Sequence, residues 1–225
     1  MKALFVLLAG ACASAGAFAT DFLIDDFATG LYASPQLKSG TFTNVQTGSM
    51  RGGSRSILMT LCGSNCRAGN RFADTASFKV VTSRDNANPV SAMVQNAGFN
   101  VYPRIDMVYG EPPGNLDIDL SAFDRLRFDF LGATETLNFN VQLFDDTGLY
   151  IQGGCNYGGY NSAFTLELPL NAFAMPGGPI DLRHVTHIDV IFQASSFIGA
   201  SEFAVSNFSA SNVTQAGAVT CAYQH

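Results

Sequence analysis

The sequence is notable first for what it lacks. It contains no tryptophan, and only 13% of its residues are charged. No Gly-x-Ser-x-Gly string and no glycine-rich phosphate loop with a following Lys occurs, which argues against a serine-hydrolase elbow and a P-loop. The chain is acidic, with a net charge of −6, and its few basic residues are dispersed along the sequence. We therefore expect no nucleic-acid partner.

Long apolar runs are also missing outside the amino terminus. Lys2 is followed by an apolar stretch and then by Ala17-Phe18-Ala19, a small-x-small cleavage pattern. We predict a signal peptide at residues 1–19 and a single mature domain at 20–225. The alternatives are an uncleaved amino-terminal anchor and a lipid attached at Cys12. The expected location is secreted, periplasmic or cell-surface, with no membrane span in the mature chain.

Four cysteines remain in that mature chain, and an even number in an exported protein indicates disulfides. We favour Cys62–Cys66, which closes a short loop, together with Cys155–Cys221, which ties the tail to the body. Four cysteines allow three pairings, so the connectivity stays open. A zinc site is the competing interpretation, although only one close cysteine pair is present.

Alternation of apolar and polar residues dominates the rest of the sequence and predicts strands with one buried face. Clear examples are 126–130, 137–143, 164–168 and 187–192. The 19 phenylalanines predict a phenylalanine-filled core between two packed sheets. Glu167 falls on the polar side of its strand, where a solvated surface position is expected.

Five segments together resemble the galactose-binding and carbohydrate-binding-module jelly-roll domains of secreted bacterial proteins. The segments are Leu23–Phe27, Ser49–Ile57, Leu116–Phe128, Asn140–Gly148 and Phe203–Ser211. The resemblance implies an all-β fold: a two-sheet antiparallel β-sandwich of the jelly-roll type. It is poorly specific for function, because such sandwiches host many unrelated activities.

The same resemblance raises the question of a structural calcium ion. Asp25 and Asp26 could supply ligands, but Ser206 stands where calcium-binding relatives carry an acidic residue. The alternative is that Asp25 or Asp26 accepts backbone hydrogen bonds at a strand end. No other cofactor is expected.

Candidate ligand-binding residues cluster in the glycine-rich segment 150–160, whose composition predicts an open loop. Aromatic hydroxyls and amides there suit a ligand with many hydroxyl groups, so a glycan is the expected partner. A loop whose tyrosines cap the core edge is the alternative. Arg51 and Arg55 could hold an anionic group or pair with carboxylates. The loop residues are Tyr150, Gln152, Asn156, Tyr157 and Tyr160.

Three functions follow, in order of preference. The first is a non-catalytic exported binding or surface protein, with carbohydrate as its ligand. The second is a polysaccharide-active lyase or hydrolase, which would need His187, a tyrosine and an arginine within reach of one point. The Glu-x-Asp-x-Glu motif of laminarinase-type hydrolases is replaced by Asp117-Ile118-Asp119. The third is a structural envelope or matrix component.

Overall fold

The alternating pattern produces strands almost throughout. The computed structural model describes residues 21–61, 75–83, 89–98, 101–110, 116–194 and 200–221. Short 3₁₀ helices occur at Arg51–Gly53 and Leu170–Ala172. The all-β class is confirmed. The strands are β1 (Phe22–Asp25), β2 (Tyr32–Ala33), β3 (Gly40–Thr47), β4 (Ser54–Leu61), β5 (Ala76–Thr82), β6 (Ser91–Ala97), β7 (Pro103–Tyr109), β8 (Arg125–Asp145), β9 (Tyr150–Tyr160), β10 (Phe164–Pro169), β11 (Val185–Ala194), β12 (Ser201–Ser211) and β13 (Val219–Thr220).

Strand pairing arranges these strands in two layers that share β8. The front sheet has the order β9, second half of β8, β11, β7, β4, β3, and all its pairs are antiparallel. The back sheet has the order β2, β5, β6, β12, first half of β8, β10, β13, with β1 beside β12. Among the described pairs, only β10–β13 is parallel. The chain passes repeatedly between the layers, as in jelly-roll sandwiches.

Strand β8 is longer than the sequence pattern predicts. Residues 126–130 and 137–143 were expected to form separate strands, but one 21-residue strand contains both. Its first part pairs with β10 and β12, and its second part pairs with β9 and β11. Register shifts in the pairing with β12 and β9 accompany the transfer between sheets, because a bulge bends a strand and increases its local twist.

Aromatic rings from both sheets meet in the core, which confirms the phenylalanine-filled interior. The Phe128 and Phe139 ring centroids are 4.8 Å apart in an edge-to-face arrangement. Phe192 of the front sheet stacks on Phe203 of the back sheet, with ring centroids 4.9 Å apart. Each buried ring contributes roughly 2–3 kcal/mol relative to an exposed one, so these contacts are a main source of cohesion between the layers.

The glycine-rich segment expected to be an open loop is strand β9, which corrects that expectation. Gly153 and Gly154 are needed for close packing. A Cβ on Gly153 would lie 2.4 Å from the Phe173 ring, and a Cβ on Gly154 would lie 2.2 Å from the Phe139 carbonyl oxygen. The glycines therefore let β9 approach β8 and the segment around Phe173, and they do not provide a flexible loop.

The carboxyl-terminal segment covers the outer face of the back sheet. There Glu167 is fully buried, contrary to the expected surface position, because Arg125 and Arg127 both form ion pairs with it. The backbone N–H of Gln215 donates to Glu167 Oε1 at 2.8 Å. The expected Cys155–Cys221 disulfide is confirmed, and it joins the end of this segment to β9.

Candidate ligand-binding face

The outer face of the front sheet, on the side away from the core, presents side chains in four rows that cross the strands. Directly paired residues of neighbouring strands lie on the same face of a sheet, so the strand register defines each row. Row one is Asn156, Asn138, Gln193, Arg104, Thr60 and Thr41. Row two is Gly154, Asn140, Ile191, Asp106, Leu58 and Thr43. Row three is Gln152, Gln142, Asp189, Val108, Ser56 and Val45. Row four contains Tyr150, Phe144 and His187.

Five amide side chains on β8 and β9 form what we name the amide ladder: Asn138, Asn140, Gln142, Gln152 and Asn156. Asn138 Nδ2 donates to Asn156 Oδ1 at 3.2 Å, and Gln142 Nε2 donates to Gln152 Oε1 at 3.2 Å. Asn140 Oδ1 is enclosed and has no hydrogen-bond partner among the described groups. A primary amide has two N–H donors and an acceptor oxygen, so one cross-strand bond leaves an amide with further capacity.

An ion pair lies on β7, which follows β11 across the face. Arg104 Nε donates to both Asp106 oxygens, at 2.8 and 2.9 Å, and Arg104 Nη2 donates to Oδ1 at 2.6 Å. The hydrogen bonds to Asp106 raise the pKa of the Arg104 guanidinium above its usual value, and the nearby Asp189 carboxylate adds to the rise. Arg104 and Asp106 therefore compensate each other, and the Asp189 side chain lies close to this pair.

Row four lies at one end of the face and contains aromatic rings. Phe144 stacks on Tyr150, with centroids 5.2 Å apart and planes inclined by 30°. The imidazole of His187 meets the same Phe144 ring edge-on, with centroids 5.0 Å apart. All three residues are half-buried. The row therefore offers an aromatic surface directly beside amides, which is an arrangement suited to a ligand with both apolar and hydroxyl-bearing faces.

The centre of the face is more buried than its border. Asp106 and Ile191, both in row two, are only 7% and 9% exposed although they point away from the core. In row one, by contrast, Asn138, Asn156 and Gln193 are exposed. Exposed amides of row one therefore border a centre whose side chains are covered by their neighbours.

The structure divides the residues predicted from the sequence among three places. Tyr150, Gln152 and Asn156 lie on this face, in rows four, three and one. Tyr157 and Tyr160 form a stacked pair, with centroids 5.1 Å apart, and pack against Phe164 of the back sheet. This second group caps the edge of the core. Burial raises the pKa of the Tyr157 phenol, and a hydrogen bond with Tyr160 contributes to the same shift.

Arg51 and Arg55 lie elsewhere. Arg55 is 1% exposed; its Nη1 donates to Asp25 Oδ2 at 2.5 Å and its Nε to Gln46 Oε1 at 2.6 Å. It therefore serves the interior and lines no ligand surface, which corrects its assignment as a ligand-binding residue. The Arg51 guanidinium lies 4.3 Å from the Phe22 ring centroid, and its Nε donates to the Leu23 carbonyl.

Asp25 and Asp26 make the strand-end hydrogen bonds that were the alternative to calcium binding. Asp25 Oδ1 accepts the Phe27 N–H, and Oδ2 accepts Arg55 and the Tyr109 hydroxyl. Asp26 Oδ1 accepts the Ala28 N–H. Both Asp25 oxygens are thus engaged by protein donors. Within the described ranges, no group of three or more His, Cys, Asp or Glu side chains is arranged to hold a metal ion.

Several earlier expectations fall on residues outside the described ranges. These include the signal peptide at 1–19, the lipid attachment at Cys12 and the Cys62–Cys66 disulfide. In the part of the chain that the structure describes, no helix combines the length and apolar character required to cross a membrane.

Most members of the candidate face were missed by sequence reasoning. Asn138, Asn140 and Gln142 were noted only as the polar side of a strand. A usable signal was present, because three successive outward positions carry amides where a solvated strand commonly carries Lys, Glu or Thr. Arg104 and Asp106 are two residues apart on β7 and therefore share a face, but Asp189 joins them only through pairing of β7 with β11.

Comparison with known proteins gives structural similarities only. No protein-family model matches the chain, and no curated protein matches it either. One similar structure is a family 11 carbohydrate-binding module of a cellulosomal cellulase of Clostridium thermocellum. The two chains are 15% identical, the similarity covers 92% of this chain and 97% of that chain, and the TM-score is 0.43. Another is a family 28 carbohydrate-binding module specific for non-crystalline cellulose. It is 19% identical, the similarity covers 59% of this chain and 79% of that chain, and the TM-score is 0.39. An exo-β-agarase is similar over 62% of this chain and 22% of its own length, at 13% identity and TM-score 0.42. At these identities and scores, the similarities carry no argument about a ligand or an activity.

Proposed function

We propose that this protein is an exported, non-catalytic binding protein that holds a neutral polysaccharide on the outer face of its front sheet. The amide ladder is the observation that carries the proposal. Its amides repeat at every second residue of β8 and continue onto β9, so a row of donors and acceptors follows the strand direction. An extended ligand with hydroxyl groups at regular intervals would match such a row.

The charge of the face favours a neutral ligand over an acidic one. Arg104 is compensated by Asp106, and the Asp189 carboxyl group lies close by. An acidic polysaccharide would meet the carboxyl groups of Asp106 and Asp189, and the Arg104 guanidinium is already bonded to Asp106. Like-charge contacts disfavour the wrong partner, so uronate-rich chains should bind poorly.

The aromatic rings of row four supply the second element of the proposed site. Tyr150 and Phe144 would contact the apolar face of one sugar ring, while the amide ladder would bind hydroxyl groups along the rest of the chain. Rows one and four are separated by six residues along β11, from Gln193 to His187, or about 20 Å at ~3.3 Å per residue. A site of that length suits an oligomeric ligand.

The same distance argues against the lyase alternative. His187 and Tyr150 lie in row four, whereas Arg104 lies in row one, about 20 Å away along the strands. A lyase needs its base and its carboxylate-neutralising group around one sugar. Asp106, a candidate acid for hydrolysis, accepts three hydrogen bonds from Arg104. Both Asp106 oxygens are therefore engaged by that one side chain.

Export is part of the proposal as well. The Cys155–Cys221 disulfide is of the kind that forms and persists in oxidising compartments, and the sequence begins with the features of a cleaved signal.

Affinity electrophoresis of the purified protein in gels containing one soluble polysaccharide each would test the proposal. We expect retardation by at least one neutral glucan, galactan or mannan, and none by polygalacturonate or alginate. A parallel screen for reducing ends and for unsaturated uronate products should show no turnover. Cleavage of any polymer would favour the enzyme alternative, and the absence of retardation in every gel would favour the structural envelope component.

A further inference from the structure

Strand β3 forms the outer border of the front sheet on the side away from the amide ladder. It pairs with β4 over all 8 of its residues, from Gly40–Leu61 to Thr47–Ser54, without a register shift. In an antiparallel ladder, only alternate residues direct their backbone N–H and C=O groups toward a given partner. Half of the β3 residues therefore direct these groups away from β4, and no strand of the described chain pairs with them there.

The other border strands are short, irregular or partly paired. In the back sheet, β2 and β13 have 2 residues each, and the pairing of β1 contains a register shift. In the front sheet, β9 forms a bridge from Gln152 to Ala174, and it contains Gly158 and Gly159 with positive φ. Short length and irregularity are means by which β proteins prevent association between sheet edges. Among the described border strands, β3 is the long and regular one.

The side chains of β3 do not protect its free edge either. The strand contains no charged residue and no proline, which are the residues that commonly block an edge. Its outward side chains are all exposed, and that of Val45 is 55% exposed. Threonine and valine are both favoured in strands, so the edge is a suitable template for a further strand. The outward residues are Thr41, Thr43, Val45 and Thr47.

The outward residues of β3 are arranged almost symmetrically about Asn44, which favours a second copy of the same strand as the partner. When two copies lie antiparallel with Asn44 opposite Asn44, Thr43 faces Val45 and Thr41 faces Thr47. Every outer pair is then Thr–Val or Thr–Thr, and no charge opposes another within the strand. Such cross-strand pairs are compatible with a stable ladder. A two-fold axis through Asn44 makes the interface isologous, so each contact occurs twice.

We propose that β3 is a dimer interface, at which two copies of this chain pair antiparallel and join their front sheets into one continuous sheet. The backbone groups that β3 directs away from β4 bond to the same groups of the second copy. A single strand edge is a small interface, so we expect a weak dimer with a dissociation constant of roughly 10–100 µM.

The proposed pairing places the candidate faces of both copies on the same side of the joined sheet, because the two-fold axis is perpendicular to it. The β8 strands of the two copies are nine strand spacings apart, or roughly 40 Å. This consequence rests on the proposed function: two binding faces on one side would engage neighbouring polysaccharide chains and increase avidity. The pairing of β3 itself does not depend on a ligand.

Sedimentation velocity and hydrogen–deuterium exchange of the purified protein without ligand would test the inference. We expect mostly monomer at about 1 µM and mostly dimer at about 300 µM. Peptides that cover 40–47 should exchange more slowly at the higher concentration, because their free N–H groups become bonded, whereas peptides that cover 76–82 of β5 should not change. A monomer at both concentrations would overturn the proposal. A dimer in which 40–47 exchanges equally at both concentrations would also overturn it.

A charged residue on β3 should separate the two copies. Val45→Lys introduces the residue that natural edge strands use against association, so we expect the dimer dissociation constant to rise roughly tenfold or more. Val90→Lys changes a 41% exposed valine outside the strands and is the matched control, which should dimerise normally. An unchanged dimer in Val45→Lys, or equal weakening in both variants, would contradict the β3 interface. The exchange measurement uses the unaltered protein and remains decisive even if a variant does not fold.

Discussion

Gln142 on β8 and Gln152 on β9 face each other across the front sheet, and Gln142 Nε2 donates to Gln152 Oε1 at 3.2 Å. Neighbouring Asn138 and Asn156 repeat the same relationship at the same distance. Two cross-strand amide pairs in one register orient their polar groups in a common direction. Such orientation before binding is what gives a polar surface selectivity, because the ligand need not order the side chains itself.

The amide ladder gives the first prediction. Gln142→Ala and Asn138→Ala should each weaken binding of the retained neutral polysaccharide about five- to tenfold, since each removes hydrogen bonds worth roughly 1–1.5 kcal/mol. Affinity electrophoresis across polymer concentrations would measure the change. Asn161→Ala, an exposed amide in the turn after β9, is the matched control and should bind normally. Equal losses in all three variants would contradict the placement of the site.

The aromatic row gives the second prediction. Tyr150→Ala removes a ring that stacks on Phe144, and we expect roughly tenfold weaker polysaccharide binding from the lost stacking of about 0.5–1.5 kcal/mol together with lost apolar contact. Tyr150→Phe keeps the ring and should lose threefold at most. Tyr157→Ala lies off the face, so normal affinity is expected there. Isothermal titration with a soluble oligosaccharide would rank the three variants, and a reversed ranking would move the site to the Tyr157–Tyr160 pair.

The buried ion pair between Arg55 and Asp25 gives the third prediction. Asp25→Ala leaves the Arg55 charge in the interior without its partner, and we expect the free energy of unfolding to fall by about 3–5 kcal/mol. Urea denaturation would measure this loss. The exposed pair Arg183–Asp181 is the matched control, and Asp181→Ala should leave the free energy of unfolding nearly unchanged, because solvent screens an exposed ion pair. Similar losses in both variants would contradict a buried role for Asp25.

Alkaline pH should destabilise the protein through Tyr109. Burial raises the pKa of the Tyr109 phenol well above its usual value of 10.0, and the Asp25 carboxylate that accepts its hydrogen bond adds to the rise. The folded state therefore keeps a proton that the unfolded chain releases. The stabilisation is fully present below pH ~10 and is lost as the pH rises above that value. In Tyr109→Phe, the slope of unfolding free energy against pH should be flatter between about pH 10 and 11; an unchanged slope would assign the effect to other groups.

The disulfide between Cys155 and Cys221 gives the last prediction. The bonded cysteines are 66 residues apart, and the chain-entropy relation gives about 4 kcal/mol of stabilisation for a loop of that size. We expect the double variant Cys155→Ser/Cys221→Ser to unfold at correspondingly lower urea concentration. Mass measurement after thiol alkylation without reductant should find neither cysteine labelled in the native protein. Labelling of both without loss of stability would contradict the bond.

The positions of polar residues within each strand were predictable, but their neighbours on other strands were not. Leu137–Leu143 alternates so regularly that the outward direction of Asn138, Asn140 and Gln142 follows from sequence. The pairing of Asp189 with Gln142 does not, because β8 and β11 are separated by β9 and β10 and many registers preserve the alternation. Shifting that register by two residues would keep the same core and assemble a different face.

Arg55 and Glu167 show a second limit. Both occupy strands whose patterns allow a solvated position, yet Arg55 is enclosed with Asp25, and Glu167 with Arg125 and Arg127. Burial of these charges depends on segments distant in sequence, namely the amino-terminal strand and the carboxyl-terminal tail. Local periodicity contains no information about such coverage.

The sequence by itself determined the all-β class and the phenylalanine core, because alternation and composition act through local or chain-wide constraints. It favoured the Cys155–Cys221 bond among three possible pairings, and the tertiary structure decided that pairing. Tertiary structure alone decided that the glycine-rich segment is strand β9, that Arg55 is interior, and that amides from β8 and β9 meet Asp189 and Arg104 on one face. Those outcomes depend on long-range strand pairing and close backbone approach, in which residues far apart along the chain become neighbours.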